Sequence, residues 1–287
     1  MRSRNLPDWL KVRIPSGDNY RHIRSLLHTN KVKSVCEEAR CPNIAECYGR
    51  GVATFLILGD VCSRRCRYCN IPTGTPRGLD IDEPQKIAEI VQALHLNYVV
   101  ITSVTRDDLP DLGGGQFYRT VVEIRKRIPE CKIEILTPDF QGETSVLKSV
   151  LKSSPYIFNH NIEVVQKLFP QARSNGSYER SLRVLQQAKR WTPIIKSGLM
   201  VGLGETEGQI LETIHDLRSV GVSVLTIGQY LQPRRDLSEV KKFYTHEEFE
   251  RIKFEALNMG FSHVFSGPLV RSSYHAGDMV RHNLNQV

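Results

Sequence analysis

The sequence predicts an α/β fold: strand–helix units wound into an open, incomplete barrel, a partial (β/α)6 TIM-type barrel with N- and C-terminal extensions. Three observations predict it. Six apolar runs, often β-branched, do not alternate with polar residues, as strands buried on both faces of a parallel sheet should not. Helical stretches separate them. Successive strands begin 24 to 44 residues apart, with no low-complexity linker and no internal repeat, which suits right-handed β/α units.

In chain order, the first strand is read at 54–58, from Thr54-Phe55-Leu56-Ile57-Leu58. A helix over 83–95 is opened by Glu83-Pro84, where proline suits a first turn. Tyr98-Val99-Val100-Ile101-Thr102 gives the second strand, and a helix over 116–128 follows Gly113-Gly114-Gly115. Strands at 132–136 and 156–159 flank a helix at 143–153; a helix at 177–191 leads to a strand at 195–201. The helix at 206–220 carries Ile210, Leu211, Ile214, Leu217 and Val220 three and four apart, an amphipathic stripe that serves core packing. A last strand is read at 224–230, with 246–258 and 261–267 as closing elements. The parse is one catalytic domain over 51–260 between extensions at 1–50 and 261–287.

The 287 residues are 40% hydrophobic and 24% charged, which argues against disorder, collagen or a mucin-like stalk. Apolar runs such as Phe55-Leu56-Ile57-Leu58 fall far short of the roughly 20 residues a membrane helix needs. The N-terminus is basic with no apolar stretch after it, so no secretory signal is read and a cytoplasmic location is expected. Net charge is +8, and residues 1–35 carry much of it: Arg2, Arg4, Lys11, Arg13, Arg21, Arg24, Lys31 and Lys33 stand against Asp8 and Asp18. Such an arm attracts an anionic partner or is simply solvated; without aromatic interleaving, nucleic acid is weakly supported.

Cysteines carry the strongest signal. Six of the seven lie within residues 36–69, and Cys131 alone stands apart. An odd count without a secretory signal argues against a disulfide framework. Cys62, Cys66 and Cys69 have the spacing Cx3Cx2C, with Tyr68 before the third. Zinc ordinarily takes four ligands in paired knuckles, and no matching pair lies downstream. A redox pair would use Cys66 and Cys69 and leave Cys62 idle. Three soft thiolates suit three corners of a [4Fe-4S] cube, with the fourth iron open to a chelating molecule. The loop after a strand is also where a β/α barrel keeps its chemistry. Cys36, Cys41 and Cys47 form a second triad, Cx4Cx5C.

The Cx3Cx2C loop resembles the motif of the radical S-adenosylmethionine superfamily. With Cx4Cx5C before it, the chain resembles the lipoyl synthase family within that superfamily. Thr102-Ser103-Val104-Thr105-Arg106-Asp107-Asp108-Leu109, Asn159-His160-Asn161-Ile162-Glu163, Gly202-Leu203-Gly204-Glu205-Thr206 and Arg271-Ser272-Ser273-Tyr274-His275 are similar to family segments, so the likeness runs from about Trp9 to His275.

The resemblance implies two [4Fe-4S] clusters and S-adenosylmethionine as cofactors. Cys62, Cys66 and Cys69 would hold the cluster that cleaves S-adenosylmethionine to a 5′-deoxyadenosyl radical. Cys36, Cys41 and Cys47 would hold an auxiliary cluster consumed as sulfur source, with Ser272 on its fourth iron and Ser273 the less favoured neighbour. A hard alkoxide is a poor match for that iron, so the corner would be labile. Two sulfurs would enter at C6 and C8 of an octanoyl chain on a carrier lysine, at the expense of two S-adenosylmethionine molecules. Thr102, Ser103, Asn161, Glu163, Arg173 and Lys196 would offer polar groups to S-adenosylmethionine, and Gly202 and Gly204 a close backbone approach to adenine; each is equally readable as a satisfied rim residue. Asp107 and Asp108 are read as a helix cap or an Arg106 ion pair rather than a metal site.

The implied partners are octanoylated lipoyl-carrier domains (a glycine-cleavage carrier or a 2-oxoacid dehydrogenase acyltransferase subunit), an electron donor such as ferredoxin or flavodoxin, and an iron-sulfur cluster carrier, with no membrane. The basic arm would steer an acidic carrier to the barrel mouth. Two competitors stay open: another sulfur-inserting radical enzyme, which would share only Cys62, Cys66 and Cys69, and a zinc-stabilised module with a basic arm on RNA.

Overall fold

The computed structural model describes residues 7–10, 12 and 14–273. Its sheet has eight strands in sequence order: β1 (Lys33–Ser34), β2 (Thr54–Ile57), β3 (Tyr98–Ser103), β4 (Lys132–Leu136), β5 (Ile157–Asn159), β6 (Ile195–Val201), β7 (Val224–Gln229) and β8 (His263–Gly267). From β2 to β8 every pairing is parallel, so each connection is a crossover. The helices are α1 (Asp18–Thr29), α2 (Val35–Glu38), α3 (Ile44–Gly49), α4 (Glu83–Ala93), α5 (Gly114–Arg127), α6 (Thr144–Leu151), α7 (Phe169–Ala172), α8 (Tyr178–Ala188), α9 (Glu207–Ser219) and α10 (His246–Asn258).

The six expected strands and the helices between them form, with ends shifted by a few residues at most. Three helices start just after their expected first residue, which is the cap in each, and in two of them its side chain does the capping. The Ser177 hydroxyl accepts from the Arg180 N–H, and Thr206 with Gln209 makes a reciprocal capping box. On α9, Ile210, Ile214 and Leu217 are buried, as the stripe requires. The closing segment at 261–267 supplies β8, a seventh parallel strand beside β7. Helix α1 and the two-residue β1, antiparallel to β2, were not read from sequence. Their pattern is too mixed or too short to show a period.

Helices cover the outer face of the sheet over one large apolar core. Inside the barrel, Val100, Ile157 and Val224 form a separate apolar floor with Tyr98, Tyr156 and Phe265 around it. Beside them, fully buried Glu134 accepts from Lys196 at 3.0 and 3.1 Å, from Asn159 at 2.8 Å and from Tyr98 at 2.5 Å. A buried charge so completely partnered closes the floor. Chemistry is left to the strands' C-terminal ends.

Candidate active site

The loop after β2 is folded by its own backbone. Leu58 (φ 70°) and Gly59 (φ 91°) turn the chain, and the buried Glu83 carboxylate accepts from the Leu58 N–H at 2.9 Å. The Cys62 N–H donates to Pro72 O (2.8 Å) and Gly74 N–H to Cys62 O (3.1 Å), so the three cysteines sit on a closed lobe. Arg67 ties the lobe to both sides, donating to Ala172 O and accepting from Ser238 N–H, each at 2.8 Å. Arg64, only 3% exposed, donates to Asp107 at 2.6 and 2.8 Å and pairs with Asp139 at 2.7 Å. Of the two expected aspartates, Asp108 pairs with Arg106 at 2.8 Å, as expected, and Asp107 with Arg64.

Cys62, Cys66 and Cys69 line one cavity of ≈ 150 Å³ together with Thr102, Ser103, Asn161, Glu163 and Arg173. Three buried polar atoms on its wall, Ser103 Oγ, Thr137 Oγ1 and Asn161 Oδ1, have no hydrogen-bond partner among the described residues. Burial pushes the Glu163 carboxyl up against the opposing pull of Arg173, whose guanidinium donates to Asn161 O at 2.8 Å. Glu163 itself has φ 72°, a left-handed conformation stabilised by backbone bonds to Gly198 and Met200.

The remaining expected contacts lie elsewhere. Lys196 is 1% exposed and its ammonium is taken by Glu134 in the floor. Gly202 (φ 104°) and Gly204 (φ 111°) line neither this cavity nor the next, and a Cβ on Gly202 would lie 2.6 Å from Lys242 O. That turn is held by Glu205, which accepts from the N–H groups of Gly202 and Leu203 at 2.6 and 2.9 Å. Close approach is thus required at Gly202, between two stretches of this chain.

The second triad hangs on β1. The Ser34 hydroxyl accepts from the Cys36 N–H at 3.1 Å and starts α2; Cys41 N–H then donates to Cys36 O at 3.0 Å, with Arg40 turned to φ 51°. Cys47 lies on α3, whose N-terminal Asn43 donates to Leu269 O at 2.7 Å and so reaches the end of the described chain. A small cavity is lined by Cys36, Cys41 and Cys47 together with Arg271 and Ser273. Ser272, the favoured serine, faces the neighbouring cavity instead, where its hydroxyl accepts from Asn161 at 2.6 Å. Tyr274 and His275 lie outside the described residues.

Between the triads lies a larger cavity of ≈ 420 Å³, which Cys36 and Cys41 reach from one side and Cys69 from the other. Two glycines missed in the sequence reading keep it open. A Cβ on Gly198 would stand 2.7 to 2.9 Å from Asn161, Ser272 and Thr226 oxygens, and one on Gly228 would stand 2.0 Å from Val270 O. The available signal was a glycine inside an otherwise β-branched or apolar strand, which marks close approach.

Comparison with known proteins gives the family. A model of the radical SAM superfamily matches residues 56–217, and one of the N-terminal domain of lipoyl synthase matches residues 1–41. The lipoyl synthase of Rubrobacter xylanophilus is 51% identical over 94% of this chain and 85% of its own length; that of Halalkalibacterium halodurans is 49% identical over 96% and 91%. The chain belongs to the lipoyl synthase family. It is accordingly a radical S-adenosylmethionine enzyme, and the zinc-stabilised RNA module falls away. Among solved structures, SuiB of Streptococcus suis bound to S-adenosylmethionine shares the fold at 12% identity, with a TM-score of 0.58 over 78% of this chain and 53% of that one. HydG, a maturase of the [FeFe]-hydrogenase, does so at 11% identity and 0.57, over 87% and 73%.

Membership of the radical SAM superfamily implies a [4Fe-4S] cluster and S-adenosylmethionine, and the first cavity fits them. All seven cysteines are free. Burial, with the Cys66 and Cys62 thiols beside it, pushes the Cys69 thiol up to about 12, and burial raises Cys66 against Arg173. Such thiols ionise when a cation neutralises them, as coordinated iron does. The orphaned Ser103, Thr137 and Asn161 atoms suit a polar ligand beside it. In the second triad, burial and the neighbouring Cys36 push Cys41 up to about 11 and Cys47 to about 12. No helix among the described residues is long and apolar enough to cross a membrane.

Proposed function

We propose that this enzyme inserts sulfur at C6 and C8 of an octanoyl chain on a carrier-protein lysine. On this reading Cys62, Cys66 and Cys69 hold one [4Fe-4S] cluster with S-adenosylmethionine, and Cys36, Cys41 and Cys47 hold a second. Bound there, the first cluster and S-adenosylmethionine supply a 5′-deoxyadenosyl radical, and the second cluster supplies sulfur. Ser273, which shares the small cavity with all three auxiliary thiols, is the serine we assign as fourth ligand, in place of Ser272.

The observation that carries the reading is the single cavity onto which both triads open. Leu136, Leu199, Met200 and Tyr230 on its wall suit an acyl chain, whose burial contributes about 0.8 kcal/mol per methylene. The same wall excludes water from a reactive carbon radical. Asn161, Glu163 and Arg173 orient the polar ligand, and the partly exposed mouth admits the lysine arm.

The expected basic arm and a second basic surface both suit docking of the carrier. In the arm, Arg21 pairs at the surface with Asp18, Arg24 with Glu37, and Lys33 with Glu38 and Asp60, while Lys31 is exposed. Arg2, Arg4, Lys11 and Arg13 lie outside the described residues. Arg40, on the cavity wall, is exposed and joins no carboxylate among the described residues; the same holds for Arg65 and Arg67 on the cysteine lobe and Arg235 on the adjoining loop. These four suit an acidic carrier. A donor such as ferredoxin or flavodoxin and a cluster carrier complete the cycle, in a reducing cytoplasm that keeps the cysteines from pairing as disulfides.

Anaerobic reconstitution with iron and sulfide, followed by S-adenosylmethionine, reductant and octanoyl-lysine peptide, should give two clusters per chain and a product carrying two added sulfurs. Octanoylated carrier domain should turn over more slowly as salt rises, with the peptide little affected. One cluster per chain, or an unmodified peptide, refutes the reading.

A further inference from the structure

Among the described residues, the Cys62 sulfur accepts two backbone N–H groups, from Arg64 and from Thr105, each at 3.4 Å. The two donors come from different loops, one after β2 and one after β3. What holds them together is a side-chain brace. Arg64 forks onto both Asp107 oxygens at 2.6 and 2.8 Å, and the Ser63 hydroxyl donates to Thr105 O while accepting from Asp107 N–H, each at 3.0 Å. The Ser63 N–H donates to Thr105 O at 3.0 Å as well. Arg64 is anchored from behind by Asp139, itself fully buried and paired with Arg180 at 2.9 Å.

We propose that the Ser63–Arg64–Asp107 brace sets the reduction potential of the cluster held by Cys62, Cys66 and Cys69, by keeping both N–H donors on the Cys62 sulfur. This rests on the reading that a cluster is held there. Hydrogen bonds to a ligating sulfur strengthen as the cluster gains negative charge, so they favour the reduced form and raise the potential. The brace is a positioning device: Arg64 and Asp107 largely cancel each other's charge, and the effect on the sulfur passes through the backbone they hold.

The sign of one substitution separates this from a simple field effect. Asp107→Ala removes a negative charge, so a through-space field would make the cluster easier to reduce. Loss of the brace makes it harder. The experiment is a potentiometric titration of reconstituted enzyme, following the part of the reduced-cluster EPR signal that S-adenosylmethionine perturbs. At a fixed potential Asp107→Ala should lower the reduced-to-oxidised ratio by about tenfold, equivalent to 59 mV for a one-electron couple. Ser63→Ala, which changes no charge, should lower it by less. A ratio that rises or stays constant in Asp107→Ala, or that is unchanged in Ser63→Ala, overturns the proposal. Should Asp107→Ala fail to take up the cluster, Ser63→Ala decides alone. Absence of the cluster in the unsubstituted enzyme would instead sink the functional reading.

Discussion

The two cysteine triads are held in opposite ways. The lobe bearing Cys62, Cys66 and Cys69 is fixed by a buried arginine on two aspartates and by backbone bonds to the chain around α7 and near Ser238. The region bearing Cys36, Cys41 and Cys47 rests on a two-residue edge strand and two short helices, with Asn43 and the stretch around Ser273 closing it from the far end of the chain. Buried ion pairs resist opening because separating them strands a charge. A few side-chain bonds between distant segments do not. On the proposed reading, the contrast suits one centre that is used repeatedly and one that is taken apart.

The largest effect should come from splitting the triads. Replacing Cys36, Cys41 and Cys47 together by Ala should leave reductive cleavage of S-adenosylmethionine running while sulfur insertion falls below detection, whereas the same change at Cys62, Cys66 and Cys69 should abolish both. Chromatographic assay of 5′-deoxyadenosine beside peptide mass spectrometry reads the two. Loss of cleavage in the first variant would show that the triads do not act separately.

A thiolate in place of the serine ligand sharpens the same contrast from the weaker side. Ser273→Cys should retain both clusters and slow sulfur insertion by at least about tenfold, because a soft ligand holds the fourth iron in place. Ser272→Ala should cost much less, since its hydroxyl accepts from Asn161 in the larger cavity. A reversal of that order would return the assignment to Ser272.

The smallest expected effect tests the rigidity of the braced side. His160 is fully buried behind the lobe, with Nδ1 on Thr137 O at 2.8 Å. Burial and the nearby Arg173 lower its pKa to about 3. An unfolded chain takes up that proton near pH 6.5, which the folded chain refuses down to about 3. Stability is therefore present above pH 6.5 and lost as pH falls through that window, by up to about 1.4 kcal/mol per pH unit from this group. Urea unfolding between pH 7 and 5 should show the decline, and His160→Asn should flatten it; an equal slope in both proteins assigns the acid sensitivity elsewhere.

Much of this was legible in the sequence because the signals were local. Apolar runs without alternation located the strands, and cysteine spacing located both triads, since each lies within one short stretch. What escaped depends on register between distant segments. Nothing near Arg64 indicates that Asp107 and Asp139 are its partners. Ser272 and Ser273 both line the larger cavity and Ser273 alone reaches the small one, so motif position alone could not separate them. Lys196 reads as a free cation until Glu134, two strands away, is seen to take it. Gly198 and Gly228 were visible as strand glycines, but what they approach is fixed only when Asn161 and Val270 come alongside.

Asn161 belongs to both compartments: it borders the cavity of the braced lobe and the one beside Ser272. Its Nδ2 donates to Glu163 at 3.2 Å and to Ser272 at 2.6 Å, while Oδ1 has no donor among the described residues. A ligand in the first cavity that offers an N–H to that oxygen would bond to the same carboxamide that holds the Ser272 hydroxyl. One carboxamide is thus the wall common to both chambers, and a change at that side chain reaches the two of them at once.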